Sequence, residues 1–247
     1  MDRLIYTAMT GAKHILEQQA NTSHNLANAS TPGFRAQLDS FRAVPVISDG
    51  LPTRVFVVDS TVGTDFTPGT IHSTGRALDM ALQGKGWMAV QMEDGSEAYT
   101  RNGSLNVSEN GVLQTLDGRS VLGDGGAISI PPDVTIEIGT DGTVSGVSAS
   151  GKAGIVNVLG RIKLVNPPED TMTRGDDGFF RTTDGAPATA DSRVKVVSGA
   201  LEDSNVKVID AMVNMISLGR QFDLHMKMLQ SAEENSSKAG QVLGLSS

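Results

Sequence analysis

The residues that interrupt helices are concentrated in the middle of this chain of 247 residues. Of its 28 glycines, 23 fall between Arg35 and Ala200, and so do eight of its nine prolines. Glycine weakens helices and strands alike, and proline removes a backbone donor. The sequence therefore predicts an α+β chain in three parts: an N-terminal helix at 1–34, a glycine-rich all-β domain of many short antiparallel strands at 35–200, and a C-terminal helix at 201–247.

A heptad pattern runs along the N-terminal segment. Its positions step alternately by three and four residues through Ile5, Ala8, Ala12, Ile15, Gln19, Thr22, Leu26 and Ala29. Such a pattern is typical of helices that pair along one face. Three of its six apolar members are alanines, so the stripe buries little surface, and we expect the free helix to be poorly ordered until neighbouring helices cover it. The helix is expected to end near Pro32 and Gly33.

The C-terminal segment has a comparable apolar pattern and no proline. Its positions recur mostly at three or four residues or their sums, through Val208, Met212, Met215, Phe222, Met226, Leu229, Ala232, Ala239 and Leu243. Because the segment is long for a globular helix, the pattern indicates a coiled-coil or bundle element. We predict that the two terminal helices pair with each other. This pairing requires the central domain to bring its two ends close together.

The central segment is rich in turn signals. Nine Asp-Gly or Asn-Gly dipeptides begin at Asp49, Asp94, Asn102, Asn110, Asp117, Asp124, Asp141, Asp177 and Asp184. Such pairs favour tight hairpin turns because Asp, Asn and Gly tolerate a positive φ. Short β-prone runs lie between them, and several alternate apolar with polar residues, as half-buried antiparallel strands do.

Charge and composition argue against several classes of partner. With 20 basic and 28 acidic side chains the formal net charge is -8, and no cluster of Lys and Arg exceeds two residues, so nucleic acid is not expected as a partner. No apolar run approaches the roughly 20 residues that span a bilayer. The first residues lack the uninterrupted apolar core of a signal peptide, so we expect any export to use another route.

The sequence offers no constellation for catalysis, a metal or a cofactor. The run from Gly84 to Ala89 has the letters of a dinucleotide fingerprint, but β-prone residues follow it and no acid stands at the required distance, which favours a hairpin turn. The histidines lack zinc-ligand spacing and there is no cysteine, so a surface or interface role is expected for them. The loop 174–178 holds one arginine and two aspartates but too few acids for a calcium loop, which favours a turn with a local ion pair.

Four motifs, taken in order, resemble the signature of one family. They are Asn25-Leu26-Ala27-Asn28 with Thr31-Pro32-Gly33-Phe34-Arg35, then Thr74-Gly75-Arg76-Ala77-Leu78-Asp79 with Gly84-Lys85-Gly86-Trp87, then Tyr99-Thr100-Arg101-Asn102-Gly103-Ser104-Leu105, and finally Gly199-Ala200-Leu201-Glu202-Asp203-Ser204-Asn205. On these motifs the chain is similar to the bacterial flagellar rod and hook proteins. The first helix and its end, with Ala29, Ser30 and Pro32, resemble the proximal more than the distal rod subunits, and the short central domain argues against a hook protein.

The resemblance implies a structural subunit rather than an enzyme, without cofactor or metal. It implies a place in the rod that crosses the periplasm, export unfolded by the flagellar type III apparatus, and association with other rod subunits and with itself in a helical array that transmits torque. A distal rod or hook subunit is the alternative within the family. Outside the family, a β domain that binds or cuts cell-wall carbohydrate would need two carboxylates at a cleft, which the sequence alone cannot place.

The terminal helices and the motif at the end of the first helix are the predicted assembly interface. The residues that we expect to contact neighbouring subunits are Ile5, Ala8, Ala12, Ile15, Asn25, Leu26, Asn28, Gly33, Phe34, Asn205, Met212, Met215, Phe222, Met226 and Leu229. For the segment from Asn25 to Phe34, the competing interpretation is that it only forms a local turn.

Overall fold

The computed structural model describes residues 2–45, 55–132, 134–148 and 156–244. A helix stands near each end, α1 at Asp2–Ala27 and α2 at Val208–Gly244, and antiparallel strands lie between them. This arrangement confirms the predicted α+β class. The chain divides into a helical unit of Met1–Ala29, Ala36–Asp65 and Val206–Ser247, and a β unit of Ser30–Arg35 and Phe66–Asn205.

The helical unit contains both helices and one hairpin, formed by β1 at Gln37–Pro45 and β2 at Val55–Thr64. Two contacts show that α1 and α2 run antiparallel. Gly11 faces the ring of His225, and Asn214 Nδ2 lies 3.4 Å from Thr22 Oγ1. From the first pair to the second, the residue number rises along α1 and falls by the same amount along α2, as expected for antiparallel helices.

The predicted stripe of α1 lies on its covered side. Ala8, Ala12, Ile15 and Thr22 are buried, and Leu26 is half-buried. Ile5 lies within α1, but its side chain is outside the described residues, as are those of Ala239 and Leu243 in α2.

The apolar positions predicted for α2 fall on two sides of the helix. The side of α2 that is least exposed runs through Ala211, Met215, Leu218, Phe222, His225, Leu229 and Ala232, whose intervals alternate between four and three. Leu218, at 4% exposed, was missed. Val208, Met212 and Met226 are exposed instead. The reason is that α2 carries apolar residues on two sides, so their spacing alone does not tell which side faces α1.

The described residues of the β unit form four antiparallel sheets. The largest sheet is formed by β5 Trp87–Gln91, β6 Glu97–Thr100, β7 Leu105–Val107, β8 Leu113–Thr115, β9 Ser120–Gly123, β10 Gly126–Ala127, β14 Leu164–Val165, β15 Met172–Arg174 and β16 Phe180–Thr182. The strand order in this sheet is β15-β16-β6-β5-β9-β8-β7, with β14 paired to β5 and β10 paired to β9. A second sheet joins β11 Val134–Ile138, β12 Thr143–Ser148 and β13 Val156–Arg161. Two pairs complete the unit, β4 Met80–Gln83 with β17 Lys195–Ser198 and β3 Ile71–Ser73 with β18 Ala200–Glu202.

One apolar core and one aromatic cluster lie within the β unit. The core includes Met80, Leu82, Met88, Val90, Leu105, Leu113, Val121, Val144 and Ile162. The cluster gathers Trp87 and Phe180, whose ring centroids are 4.5 Å apart, and Phe66 packs against both. Since Trp87 is the only tryptophan of the chain, its fluorescence reports on the β unit alone.

Six of the nine predicted turn dipeptides have a glycine with positive φ, at Gly95, Gly111, Gly118, Gly142, Gly178 and Gly185. Gly103 and Gly125 do not, and the turn predicted at Asp49 lies outside the described residues. Residues 84–86 form a bend between β4 and β5, but the hairpin interpretation is wrong because β4 pairs with β17 while β5 pairs with β6.

The predicted three-part division differs from the compact units at their junctions. The hairpin β1-β2 belongs to the helical unit, because it packs on α1, while residues 30–35 and the strand β18 belong to the β unit. The C-terminal helix accordingly begins at Val208 rather than at 201. Within the described ranges, neither helix is long and apolar enough to cross a membrane.

Candidate functional site

Three of the sequence motifs meet at the carboxylate of Glu202, which is 1% exposed. Its Oε1 accepts a hydrogen bond from Arg35 Nη2 at 2.6 Å and from the backbone N–H of Gly69 at 2.9 Å. Its Oε2 accepts from Arg101 Nε at 2.7 Å. Charge-assisted bonds of this length are among the strongest in proteins. We call Arg35, Arg101 and Glu202 the buried triad.

Arg101 also holds the turn that precedes β5. Its Nη1 donates to the carbonyl of Gly86 at 2.7 Å, and its Nη2 to that of Gly84 at 2.8 Å. Burial lowers the pKa of Arg101, and the opposing effect of Glu202 helps to retain the charge. The guanidinium therefore satisfies two backbone carbonyls of the segment between β4 and β5.

The buried triad has an excess of positive charge. Two guanidinium groups face one carboxylate, and all three side chains are at most 4% exposed. In the part of the chain that the structure describes, Nε and Nη1 of Arg35 are buried without a hydrogen-bond partner. A buried group left unsatisfied in this way costs free energy. The triad is therefore not explained by stability alone.

Residues 30–35 lie directly on the triad. Gly33 has φ +69, and its N–H donates to the backbone carbonyl of Glu202 at 2.7 Å. A Cβ on Gly33 would lie 2.3 Å from the carbonyl carbon of Arg101. Glycine is required here both for the backbone conformation and for the close approach.

Phe34 and Asn205 complete the junction. The guanidinium of Arg174 stacks 4.4 Å from the ring centroid of Phe34 and donates to the carbonyl of Arg35 at 3.0 Å. Burial lowers the pKa of Arg174. The N–H of Asn205 donates to the carbonyl of Phe34 at 3.3 Å. The segment that follows α1 and the segment that precedes α2 are thus joined within the β unit.

The remaining motif forms a second polar cluster around Asp79. Arg76 Nε donates to Asp79 Oδ1 at 2.9 Å, and Thr74 Oγ1 donates to Asp79 Oδ2 at 2.7 Å. The backbone carbonyl of Asp79 accepts from the N–H of Gly199 at 2.8 Å. This motif therefore positions the strand that leads to Glu202.

The loop 174–178 does form an ion pair, but its cation is Arg181 rather than the Arg174 of the loop itself. Asp177 pairs with Arg181 at 2.5 Å, and this bond lowers the pKa of Asp177. Arg174 instead turns toward Phe34. Among the described residues, no group of three or more His, Cys, Asp or Glu could hold a metal ion.

Of the predicted interface residues, the structure brings Gly33, Phe34 and Asn205 together. Sequence reasoning missed Arg35, Arg101 and Glu202 as a site, although all three stand inside the quoted motifs. A charged residue inside each motif was the available signal, and only the fold shows that the three charges meet.

Asn25 attaches the hairpin of the helical unit to α1. Its Nδ2 donates to the carbonyl of Gln37 at 2.9 Å, and its Oδ1 accepts from the N–H of Gln37 at 2.8 Å. The side-chain amide of Asn25 thus forms with Gln37 the two hydrogen bonds that a backbone residue of a neighbouring strand would form. Asn28 Nδ2 donates to the carbonyl of His24 at 2.9 Å. Contacts of Asn25, Leu26 and Asn28 with neighbouring subunits stay a prediction.

An apolar patch lies on the outer side of α2, about half a turn from the side that carries Leu218. Its members are Ile209, Met212, Val213 and Ile216, which are 77%, 48%, 62% and 59% exposed. We call these four residues the outer patch. These four large apolar side chains form one exposed group rather than scattered surface residues.

The buried hydroxyl of Tyr99 makes the β unit sensitive to alkali. Burial raises the pKa of Tyr99 to about 12, against the effect of the N–H of Ala188, which donates to Tyr99 Oη at 2.7 Å. A raised pKa favours the protonated form in the folded state. The stabilising contribution is therefore complete below pH 10 and is lost as the pH rises from 10 through 12, by at most about 1.4 kcal/mol per pH unit.

Spectrophotometric titration of phenolate absorbance in a Tyr6→Phe variant isolates Tyr99, since the chain has two tyrosines. We expect the Tyr99 transition near pH 12, together with the loss of Trp87 signal. A transition near pH 10 in the folded protein would contradict the assignment. In Tyr99→Phe, the fall in unfolding free energy over this pH range is expected to be smaller.

Comparison with known proteins agrees with the order of these motifs along the chain. Family models described as "Flagella basal body rod protein", "Flagellar hook protein FlgE/F/G D1 domain" and "Flagellar basal body rod FlgEFG protein C-terminal" match residues 5–35, 81–146 and 197–242. The flagellar basal-body rod proteins FlgF of Escherichia coli and Salmonella typhimurium are 48% and 47% identical, each over 100% of both chains. FlgG of Bacillus subtilis is 30% identical over 95% of this chain and 96% of its own. Each residue of the buried triad lies inside one of these three family matches. The chain belongs to the flagellar basal-body rod protein family, in its FlgF group.

Proposed function

We propose that this chain is a subunit of the proximal part of the flagellar rod and that it assembles into a helical array through its terminal helices. The two helices pair as a coiled coil, and their outer sides bind neighbouring subunits. Ala8, Ala12 and the other small residues of α1 bury little surface within one chain, so the helices gain much of their order from these neighbours. The partners are other copies of this chain and the adjoining rod subunits.

The outer patch is the observation that carries this proposal. The first turns of α2 are apolar on two sides, and contacts within the chain cover only one of them. An interface that repeats between identical copies without closing produces a filament. The outer patch is therefore suited to bind a helix of the next subunit along the rod.

The β unit serves as a stiff outer layer of the shaft, and torque passes through packed contacts without any bond chemistry. The named relatives are structural rod proteins, so catalysis is not part of the proposal. The subunit is exported by the flagellar type III apparatus and lies in the basal body, where the rod crosses the periplasm.

The test replaces Ile216 with aspartate in an Escherichia coli strain that lacks its own FlgF. The unaltered chain is expected to restore swimming. Ile216→Asp is expected to reduce swimming in soft agar at least about tenfold, because a buried charge at the centre of an interface costs several kcal/mol. The circular dichroism of the purified variant should be unchanged, since Ile216 is exposed in the single chain.

Ser231→Asp is the matched control, because Ser231 is an exposed residue of the same helix, outside the outer patch. It should swim as the unaltered chain does. Equal swimming of Ile216→Asp and Ser231→Asp would refute the role of the outer patch. Failure of the unaltered chain in this strain, together with rescue of a strain without the distal rod protein, would favour a distal rod subunit.

A further inference from the structure

We propose that Arg35 is a positioning residue that fastens residues 30–35 to β18, so that the chain enters the β unit beside the point where it leaves toward α2. The fastening is a local property of the β unit. Its importance for assembly rests on the function proposed above.

The contacts of residues 30–35 support this assignment. The backbone of Gly33 and the side chain of Arg35 both bind Glu202, through its carbonyl and its carboxylate respectively. The carbonyl of Arg35 accepts from Arg174, and that of Phe34 accepts from Asn205. Every residue from Gly33 to Arg35 is therefore held by a partner that lies more than 130 positions further along the chain.

The charges of the buried triad show that Arg35 is not needed to neutralise Glu202. Arg101 alone would form a neutral pair with that carboxylate, at 2.7 Å. Arg35 adds a second cation to a buried site and leaves its Nε and Nη1 without a partner there. A residue that is costly to bury and dispensable for charge balance is better explained by what it holds in place.

The remaining part of the triad has a different role. Arg101 holds the turn at Gly84 and Gly86, and Glu202 holds Gly69 as well as both arginines. These contacts link separate segments of the β unit to one another. Removing Arg35 therefore separates the fastening of residues 30–35 from the folding of the β unit, which is the basis of the test.

The experiment measures amide hydrogen exchange by NMR in the full chain with Arg35→Met, and thermal unfolding by Trp87 fluorescence. We expect the Gly33 amide to exchange at least about tenfold faster, because local opening no longer has to break the ion pair. The core amide of Val196, which is bound to the carbonyl of Thr140, should exchange at its original rate. The unfolding temperature should remain unchanged.

Lys163→Met is the control, because Lys163 Nζ pairs with Glu97 Oε2 at 2.7 Å in the same unit, away from the triad. It should lower the unfolding temperature without accelerating the exchange of Gly33 relative to that of Val196. The proposal is overturned if Arg35→Met leaves Gly33 exchange unchanged, or if Gly33 and Val196 accelerate together as the unfolding temperature falls.

A swimming assay links the fastening to assembly. Arg35→Met should reduce the swimming that the unaltered chain restores. If the unaltered chain restores no swimming, the proposed function fails while the exchange result still decides the role of Arg35. If Arg35→Met accelerates Gly33 exchange but swims as the unaltered chain does, the role in assembly is overturned.

Discussion

Replacing Glu202 with glutamine is expected to lower the free energy of unfolding of the β unit by about 3–5 kcal/mol, because it leaves two buried guanidinium groups without a counter-charge. Arginine cannot relieve this cost by losing its proton. Glutamine has nearly the same shape as glutamate, so the change tests the charge and not the packing. Urea unfolding followed by Trp87 fluorescence measures the effect.

Glu97→Gln is the matched control for this prediction. Glu97 pairs with Lys163, whose side chain is 18% exposed. The ammonium group of an unpaired lysine on a flexible stem can turn toward water, so the expected loss is less than about 2 kcal/mol. Comparable losses for the two variants would show that the excess of positive charge around Glu202 has no special energetic weight.

Gly103→Ala is expected to destabilise the β unit by at least about 4 kcal/mol or to prevent its folding, since backbone atoms would have to move. A Cβ at this position would lie 1.6 Å from the carbonyl oxygen of Met80, which is fully buried. The same two residues are joined by the N–H of Met80, which donates to the carbonyl of Gly103 at 3.0 Å. Neither backbone segment can withdraw without breaking this bond.

Gly125→Ala provides the comparison, because nothing lies within 4 Å of a Cβ at Gly125 and its φ is not positive. Both glycines follow a turn-forming Asn or Asp in the sequence. We expect the unfolding midpoint of Gly125→Ala to match that of the unaltered chain. A folded Gly103→Ala with an unchanged midpoint would refute the steric argument.

These two glycines illustrate a limit of reading turns from dipeptides. Asn102-Gly103 and Asp124-Gly125 carry the same signal as the hairpin turns at Gly95 and Gly118, whose φ is positive. Local sequence preference cannot distinguish a glycine that adopts the positive φ of a turn from a glycine whose missing side chain lets another backbone segment approach closely. The distinction depends on Met80, which lies 23 positions earlier in the sequence.

The helices show a comparable limit. In α1 the apolar residues occupy one stripe, and Ala8, Ala12 and Ile15 of that stripe are buried within the chain. In α2 the apolar residues occupy two sides: Leu218, which was not in the predicted pattern, is buried, whereas Met212 and Met226 are exposed, and their contacts with neighbouring subunits stay a prediction. Periodicity predicts that a helix has an apolar side, but the partner selects which of two sides is buried.

By itself the sequence determined what depends on neighbouring residues: the helices at the breaker-free ends, the short antiparallel strands between turns, and the motifs of the flagellar rod family. Only the tertiary structure decided that Arg35, Arg101 and Glu202 meet around one carboxylate, and that α2 keeps an apolar patch on its outer side. The physical reason is distance along the chain. Helix periodicity and turn preference act over a few residues, whereas Arg35 and Glu202 are 167 positions apart and meet only when the β unit has folded.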